Sequence, residues 1–294
     1  MNPDKKILLI GRGFLGNYIF TEFQKSQYHV ITTRIHESKN DIGLDIRNFQ
    51  SVKSCLEKIK PFLIINCAGN NDIEYLEKNP KEAFNTNVHG VKLLADIAQK
   101  NGIRFLHIST DSVFDGKIGK YSENDLPNPL NVYAKSKVQA EDEIRKISGN
   151  YVIIRTNFYG HNSTGNYLFN QIIAMLKNKR DFTGFEDVIF SPLEVSNLSE
   201  MVEEIAMKDY CGILNLASNE SLSKYQFALN IADIFNLDKN LVKIGFVDDV
   251  NLNAKRPKNT SLSNEKAKKI LQTPILSVIE GLKRIKEQYY DHEH

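Results

Sequence analysis

Tyr133 and Lys137 stand four positions apart, so on a helix they share a face and can meet one ligand. Just upstream, an apolar segment over 103–108 runs into Ser109-Thr110-Asp111, which places two hydroxyls and a carboxylate where a strand would end. A phenol has a reference pKa of about 10, and a neighbouring ammonium favours its ionised form, so Lys137 is expected to tune Tyr133 downward. Such a phenol protonates a carbonyl oxygen as hydride arrives at the carbonyl carbon, and the Thr110 hydroxyl can hold that oxygen in place. The chemistry these residue types suggest is carbonyl reduction. A Tyr-x-x-x-Lys spacing is common by itself, and its weight depends on a hydride carrier being seated beside it.

Gly11-Arg12-Gly13-Phe14-Leu15-Gly16 supplies the seat. It is a G-x-G-x-x-G that follows an apolar segment over 6–10 and opens a helix-like stretch over 14–25. In that context the glycines permit a tight turn, close approach to a pyrophosphate and close packing of helix on strand, with the anion at a helix N-terminus. The second strand ends Thr32-Thr33-Arg34, with no acid for ribose hydroxyls. Arg34 can pair with a 2′-phosphate, so NADP(H) is favoured over NAD(H); the plain alternative is a solvated loop arginine.

The elements that must position these groups alternate. Segments 6–10, 28–33, 62–66, 103–108 and 151–155 are short and apolar on both faces, as buried parallel strands should be, and helix-length amphipathic stretches separate them. The fold class is α/β, a Rossmann-type doubly wound parallel sheet. The clearest helix spans Pro80 to Lys100, with Phe84, Val88, Val91, Ala95 and Ala98 on one face and Asn101-Gly102 as its stop. Past residue 160 the alternation fades into helices at 196–207, 223–236 and 275–288 and weak strands near 188–190, 212–216 and 241–246. The expected division is a dinucleotide-binding domain over 1–160 and a smaller C-terminal α/β substrate lobe over 161–294, with segments free to interleave. Tyr289 to His294 reads as a frayed tail.

Composition narrows the function further. The 294 residues are 41% hydrophobic and 25% charged, with a net charge of +2, which is ordinary globular usage and gives no field for nucleic acid or anionic membrane. No apolar run approaches the roughly 20 residues of a membrane helix. The start, Met1 to Lys6, carries no signal-like stretch and suggests a cytoplasmic protein. Cys55, Cys67 and Cys211 are far apart and read as buried thiols. The seven histidines show no metal-ligand spacing, and His107 reads as a satisfied buried imidazole. Lys266, Lys268, Lys269, Lys283, Arg284 and Lys286 read as solvated helical faces.

Longer motifs point to a family. The stretch from His107 through Ile108, Ser109, Thr110, Asp111 and Ser112 to Gly116, then Tyr121 to Asp125 and Pro127 to Tyr133, resembles the dTDP-4-dehydrorhamnose reductase (RmlD-like) family of the extended short-chain dehydrogenase/reductase superfamily. The resemblance covers most of the chain, including the glycine turn, Leu44-Asp45-Ile46, Asn66-Cys67-Ala68-Gly69, Asn85 to Val88, Ile154-Arg155-Thr156, Arg256-Pro257 and Ser261-Leu262. It implies that Thr110, Tyr133 and Lys137 form a catalytic triad. It also implies cofactor contacts from the turn (Gly11, Gly13, Phe14, Leu15, Gly16), from Asp45 and Ile46 by the adenine, and from Cys67, Ala68, Gly69 and Ile108. Asn85-Thr86-Asn87-Val88 is implied to lie on a helix that carries a structural asparagine. Substrate contacts are implied for Thr110, Asp111, Ser112, Asn157 and Arg256, the last toward a nucleotide pyrophosphate, and Ile154-Arg155-Thr156 matches a motif of the substrate-facing lobe.

The expected reaction is NADPH-dependent reduction of the C4 ketone of a nucleotide-linked 4-keto-6-deoxy sugar, in deoxysugar precursor biosynthesis, and the family's habits allow a homodimer. Where the family often has Tyr after Ser-Thr-Asp, this chain has Ser112; it has no Trp. Tyr18 replaces a glutamate that binds an intersubunit metal in some relatives, so no metal is expected. A sugar-nucleotide dehydratase would need Asp-Glu where Asp111-Ser112 stands. An epimerase and a noncatalytic NADP-binding subunit similar to the methionine adenosyltransferase beta subunit remain as alternatives, separable by turnover.

Overall fold

A computed structural model describes residues 5–26, 28–146, 149–162 and 167–289. The first half runs β1 (Lys6–Ile10), α1 (Phe14–Lys25), β2 (His29–Arg34), β3 (Ile42–Gly43), α2 (Phe49–Ile59), β4 (Leu63–Asn66), α3 (Ile73–Lys78), α4 (Pro80–Phe84), α5 (Val91–Lys100), β5 (Arg104–Ile108), α6 (Val132–Arg145) and β6 (Tyr151–Thr156). The second half adds β7 (Phe158–Tyr159), α7 (Leu168–Lys177), β8 (Phe182–Phe185), β9 (Ile189–Phe190), β10 (Leu193–Glu194), α8 (Val195–Met207), β11 (Gly212–Leu216), β12 (Leu222–Ser223), α9 (Lys224–Ile234), β13 (Val242–Gly245), α10 (Glu265–Ile270) and α11 (Val278–Tyr289).

The main sheet has seven strands in the order β11-β6-β5-β4-β1-β2-β3, all parallel. The five strands expected from the sequence are its centre. The strand at 212–216 forms too, but as an edge of this sheet, with Leu214 opposite Ile154. Its helix α8 likewise packs on α1, so Leu198, Met201, Val202 and Ile205 share a core with Ile19 and Phe23. The opposite face of the sheet carries Leu8, Ile10 and Ile64 against Val52, Leu56, Val91 and Leu94. A separate small core gathers Tyr159, Phe169, Ile172, Phe227, Ile231 and Leu282.

The chain winds outward from β1 to β3, then crosses back to β4 on the other side of β1. That reversal opens a crevice at the carboxyl ends of β1 and β4, where doubly wound sheets bind ligands. The helix expected over 80–100 is continuous but not uniform. Asn85–Gly90 is a π-helical turn between α4 and α5. Val88, Val91, Ala95 and Ala98 are buried as expected, whereas Ala83 is buried and Phe84 is not, because the wider turn shifts the phase of the apolar face.

Three expectations change. Cys211 is exposed just before the edge strand β11, while Cys55, on α2, and Cys67, which follows β4 at the crevice, are half-buried. Tyr289 ends α11 with its ring stacked on His161 at 4.6 Å; residues 290–294 of the expected tail lie outside the described residues, as do Met1 to Asp4 of the expected leaderless start. The Ile154-Arg155-Thr156 motif lies not in a separate lobe but on β6 of the main sheet, where Arg155 is fully buried and paired with Glu141, Nη2 to Oε2 at 2.7 Å. No helix among the described residues is long and apolar enough to cross a membrane.

Candidate active site

The glycine turn is built by contact. Gly11 has φ +88, and a Cβ there would lie 2.6 Å from the Ala68 nitrogen; a Cβ on Gly16 would lie 2.2 Å from the Gly11 oxygen. Both must therefore be glycine for the turn to pack on β4 and on itself. Gly13 differs, because nothing lies within 4 Å of its missing Cβ. It is the N-cap of α1 and offers no side-chain cap, so the first amides of the helix stay available to an anion. Gly11, Gly13, Phe14, Leu15 and Gly16 line one end of a cleft whose other wall is Cys67 to Asn71, Ile108, Ser109, Tyr133 and Lys137.

The cleft continues past Gly13 to Arg34, Asp45, Ile46 and Arg47. Arg34 is not free there: its Nε donates to Asp41 Oδ2 at 3.0 Å, and Arg12 Nη1 donates to Asp41 Oδ1 at 3.2 Å. Burial would raise Asp41, but hydrogen bonds from Thr32, Ser38 and Arg12 outweigh it and hold the carboxyl at about 2. Two guanidinium groups thus share one carboxylate, leaving net positive charge at this end. Asp45 pairs with Arg47, and Ile46 is buried against Gly90.

At the other end, α6 starts at Asn131, whose side chain caps Ala134 N–H, and carries Tyr133 and Lys137 to the end of β5. Lys137 Nζ donates to the Ile108 carbonyl at 2.7 Å and lies 3.1 Å from His107 Nε2. Burial pushes Lys137 down to about 8, with Glu141 and Cys67 acting the other way. Tyr133 overturns the expectation from spacing. Burial pushes its phenol up to about 12 and Asp111 adds to the rise, while a hydrogen bond with Thr110 only partly offsets them. Spacing put Lys137 beside the phenol, but its ammonium is turned to Ile108 and His107, and desolvation prevails.

Thr110, Asp111 and Ser112 sit together. Asp111 is buried and receives Thr260 Oγ1 at 2.8 Å, Asn157 Nδ2 at 3.0 Å, and Thr110 Oγ1 and Ser112 Oγ at 3.2 Å each. Burial nonetheless raises its pKa. The polar hydrogens of Asn157 and Ser112 read as substrate contacts are thus partly spent on Asp111. Arg256 lies apart, on the loop opposite α3, where Nη2 donates to Glu74 Oε1 at 2.9 Å and Nη1 is buried without a partner.

Several participants were not read from the sequence: Asp41, Glu74 and Thr260. Glu74 and Thr260 act through partners distant in sequence, so no local motif marks them, and Asp41 sits in a loop whose bonds to Thr32, Arg34 and Ser38 form no recognisable pattern; Asn66 was read as part of a cofactor-lining segment, but not as the partner of His107. Asn87 holds the loop after β4, bonding both Asn70 N–H and Asn70 O at 2.9 Å. Among the described residues no cluster of three or more His, Cys, Asp or Glu could hold a metal; Tyr18 instead donates to the His161 carbonyl.

Comparison with known proteins gives a consistent neighbourhood. Residues 5–290 match the RmlD substrate binding domain family. A dTDP-4-dehydrorhamnose reductase of Aggregatibacter actinomycetemcomitans is 34% identical over 232 residues, 74% of this chain and 78% of that protein. The methionine adenosyltransferase 2 subunit beta of Rattus norvegicus is 27% identical over 277 residues, 90% of this chain and 82% of that one. The crystal structure of a dTDP-4-dehydrorhamnose reductase from Bacillus anthracis in complex with NADP superposes with a TM-score of 0.87 at 28% identity, covering 96% of this chain and 98% of that one.

Proposed function

On the premise that this chain belongs to the RmlD substrate binding domain family and is an NAD(P)-dependent oxidoreductase of the extended short-chain dehydrogenase/reductase superfamily, we propose that it reduces the C4 ketone of a nucleotide-linked 4-keto-6-deoxy sugar in making deoxysugar precursors. The observation that carries this reading is the convergence of Tyr133 and Lys137 at the end of β5, in one cleft with the uncapped glycine turn, with Thr110 hydrogen-bonded to Tyr133.

The residues fit NADPH. Gly13 leaves open space at the helix N-terminus for a pyrophosphate, Arg34 and its neighbour Arg12 offer charge for a 2′-phosphate, and Ile108, Cys67 and Lys137 line the nicotinamide end. NADPH supplies the hydride. Tyr133, fully protonated near neutrality with its phenol at about 12, donates to the developing alkoxide. Thr110 hydrogen-bonds the same oxygen by turning its one hydroxyl hydrogen away from Asp111 Oδ1, which accepts it in the free site. Lys137, turned to Ile108 and His107, lies with Tyr133 on the wall of the same cleft. Arg256, with one buried nitrogen unpaired, suits the nucleotide diphosphate.

The test is loss of nicotinamide absorbance when the protein and NADPH meet dTDP-, GDP-, CDP- and UDP-linked 4-keto-6-deoxy sugars, with Tyr133→Phe as control. Oxidation with one sugar, lost in the variant by about 10²–10⁴-fold, is the expected result. NADPH binding without turnover on any sugar would overturn it in favour of a noncatalytic subunit, the role suggested by the beta-subunit likeness.

A further inference from the structure

Asn66 and His107 face each other in register on β4 and β5, and neither side chain reaches solvent. Asn66 Oδ1 accepts the Ala68 N–H at 3.1 Å. A backbone N–H only donates, so this contact fixes the amide and turns Nδ2, also only a donor, toward His107 Nδ1 at 3.0 Å. Nδ1 is therefore the unprotonated nitrogen, and the neutral ring carries its proton on Nε2. That nitrogen lies 3.1 Å from Lys137 Nζ.

Only one state of Lys137 satisfies every group. A neutral amine accepts Nε2–H while donating to the Ile108 carbonyl at 2.7 Å. An ammonium has no lone pair and meets Nε2–H donor against donor. Moving the ring proton to Nδ1 passes the mismatch to Asn66, and turning the Asn66 amide passes it to Ala68. In each arrangement the ammonium leaves two donors facing each other in a buried site, where such a mismatch is costly.

We infer that His107, held in its Nε2–H tautomer by Asn66, is a positioning residue that destabilises the Lys137 ammonium and makes this lysine a titrating partner of Tyr133. The inference rests on the reductase reading for its role in turnover. After Tyr133 gives its proton to the ketone oxygen, a lysine N–H bond breaks and the phenol O–H bond reforms, the proton crossing the cleft that both side chains line, and the amine that remains is the form His107 pairs with; solvent then restores the ammonium. Lys137 sits at about 8, and His107 is held well below its ordinary value by burial and then by Lys137. The other ionisable groups acting on the lysine are Glu141, whose carboxylate is paired with Arg155, and Cys67 after β4; Tyr133, on the same helix, lines the same cleft.

The test uses the full chain without substrate. Nitrogen-15 NMR of the histidines assigns the His107 tautomer, and carbon-13 NMR of the lysines gives the Lys137 midpoint. In the unaltered protein the ring should carry Nε2–H and Lys137 should titrate near 8. In Asn66→Asp the new carboxylate accepts both Ala68 N–H and Nδ1–H, freeing Nε2 to accept from the ammonium, so the midpoint should rise by about 1–3 pH units. The pH profile of kcat in NADPH-dependent reduction should move the same way, and His107→Gln, whose amide oxygen can also accept, should follow it. An Nδ1–H tautomer in the unaltered protein, or a folded Asn66→Asp with an unmoved Lys137 midpoint, overturns the inference. Should Asn66→Asp fail to fold, the tautomer and His107→Gln decide. Silence on every sugar with the expected titration would defeat the reductase reading and leave the lysine assignment standing.

Discussion

Arg256 gives one guanidinium nitrogen to Glu74 at 2.9 Å and keeps another buried without a partner. The arginine is on the loop before α10 and the glutamate on α3, so this ion pair joins the two sides of the molecule beside the cleft. An unpaired buried N–H donor is costly, and a diphosphate oxygen would satisfy it. Arg256→Gln should therefore raise KM for the nucleotide sugar by about 10- to 100-fold, the loss of one charge-assisted hydrogen bond of about 1.5–3 kcal/mol. Glu74→Gln should not raise it. Steady-state kinetics of both variants against the same sugar check this, with NADPH affinity as the control.

Arg34 offers a cleaner test of cofactor choice. Its Nε is held by Asp41, which aims the group while Arg12 shares the same carboxylate. Arg34→Ala should raise KM for NADPH by about 10- to 100-fold and leave KM for NADH unchanged. An equal rise for both cofactors would mean that Arg34 acts on the fold of the turn and not on a phosphate.

Beneath Thr110, Glu141 takes two hydrogen bonds from Arg155 Nε and one from Nη2, plus one from Ser109 Oγ at 2.5 Å. Both ionic side chains are essentially without solvent contact. Removing one partner leaves a buried charge, so Glu141→Leu should cost about 3–5 kcal/mol of stability. The double replacement with Arg155→Met should recover much of that loss. Urea denaturation of the single and double variants measures the difference.

Acid should unfold the protein through a few identifiable carboxylates. Asp41 and Asp115 each fall from 3.8 to about 2 in the folded chain, and Glu204 from 4.5 to about 2. Groups depressed on folding add stability that is full above their unfolded values and is lost as pH falls through the folded ones. Thermal midpoints should therefore be flat above about pH 5 and drop between about pH 4 and pH 2. Asp41→Asn should lower the plateau and shallow the drop.

The central strands were legible because a parallel strand covered on both faces must be a continuous apolar run, as Leu63 to Ile65 is, whatever surrounds it. The glycine turn was legible for a related reason: Gly11 and Gly16 answer to local contacts that admit no side chain. Other features depended on distant partners. Gly-Ile-Leu-Asn-Leu at 212–216 announces a strand but not which sheet edge it joins. The spacing of Tyr133 and Lys137 shows that they are neighbours, not that burial governs the phenol. Asn157 and Ser112 look available until Asp111, brought close by the fold, takes their hydrogens.

The placement of β11 and α8 also bears on how the protein is made. When a ribosome has delivered the glycine turn, the triad and β6, the nascent chain already holds every group proposed for the hydride step, yet β6 still presents an open edge and α1 still exposes Ile19 and Phe23. Both are covered only when synthesis reaches 195–216. Until then the half-made sheet is a template for pairing with other chains, so chaperone demand in translation should fall on this interval, after the chemistry has been encoded and before the sheet is sealed.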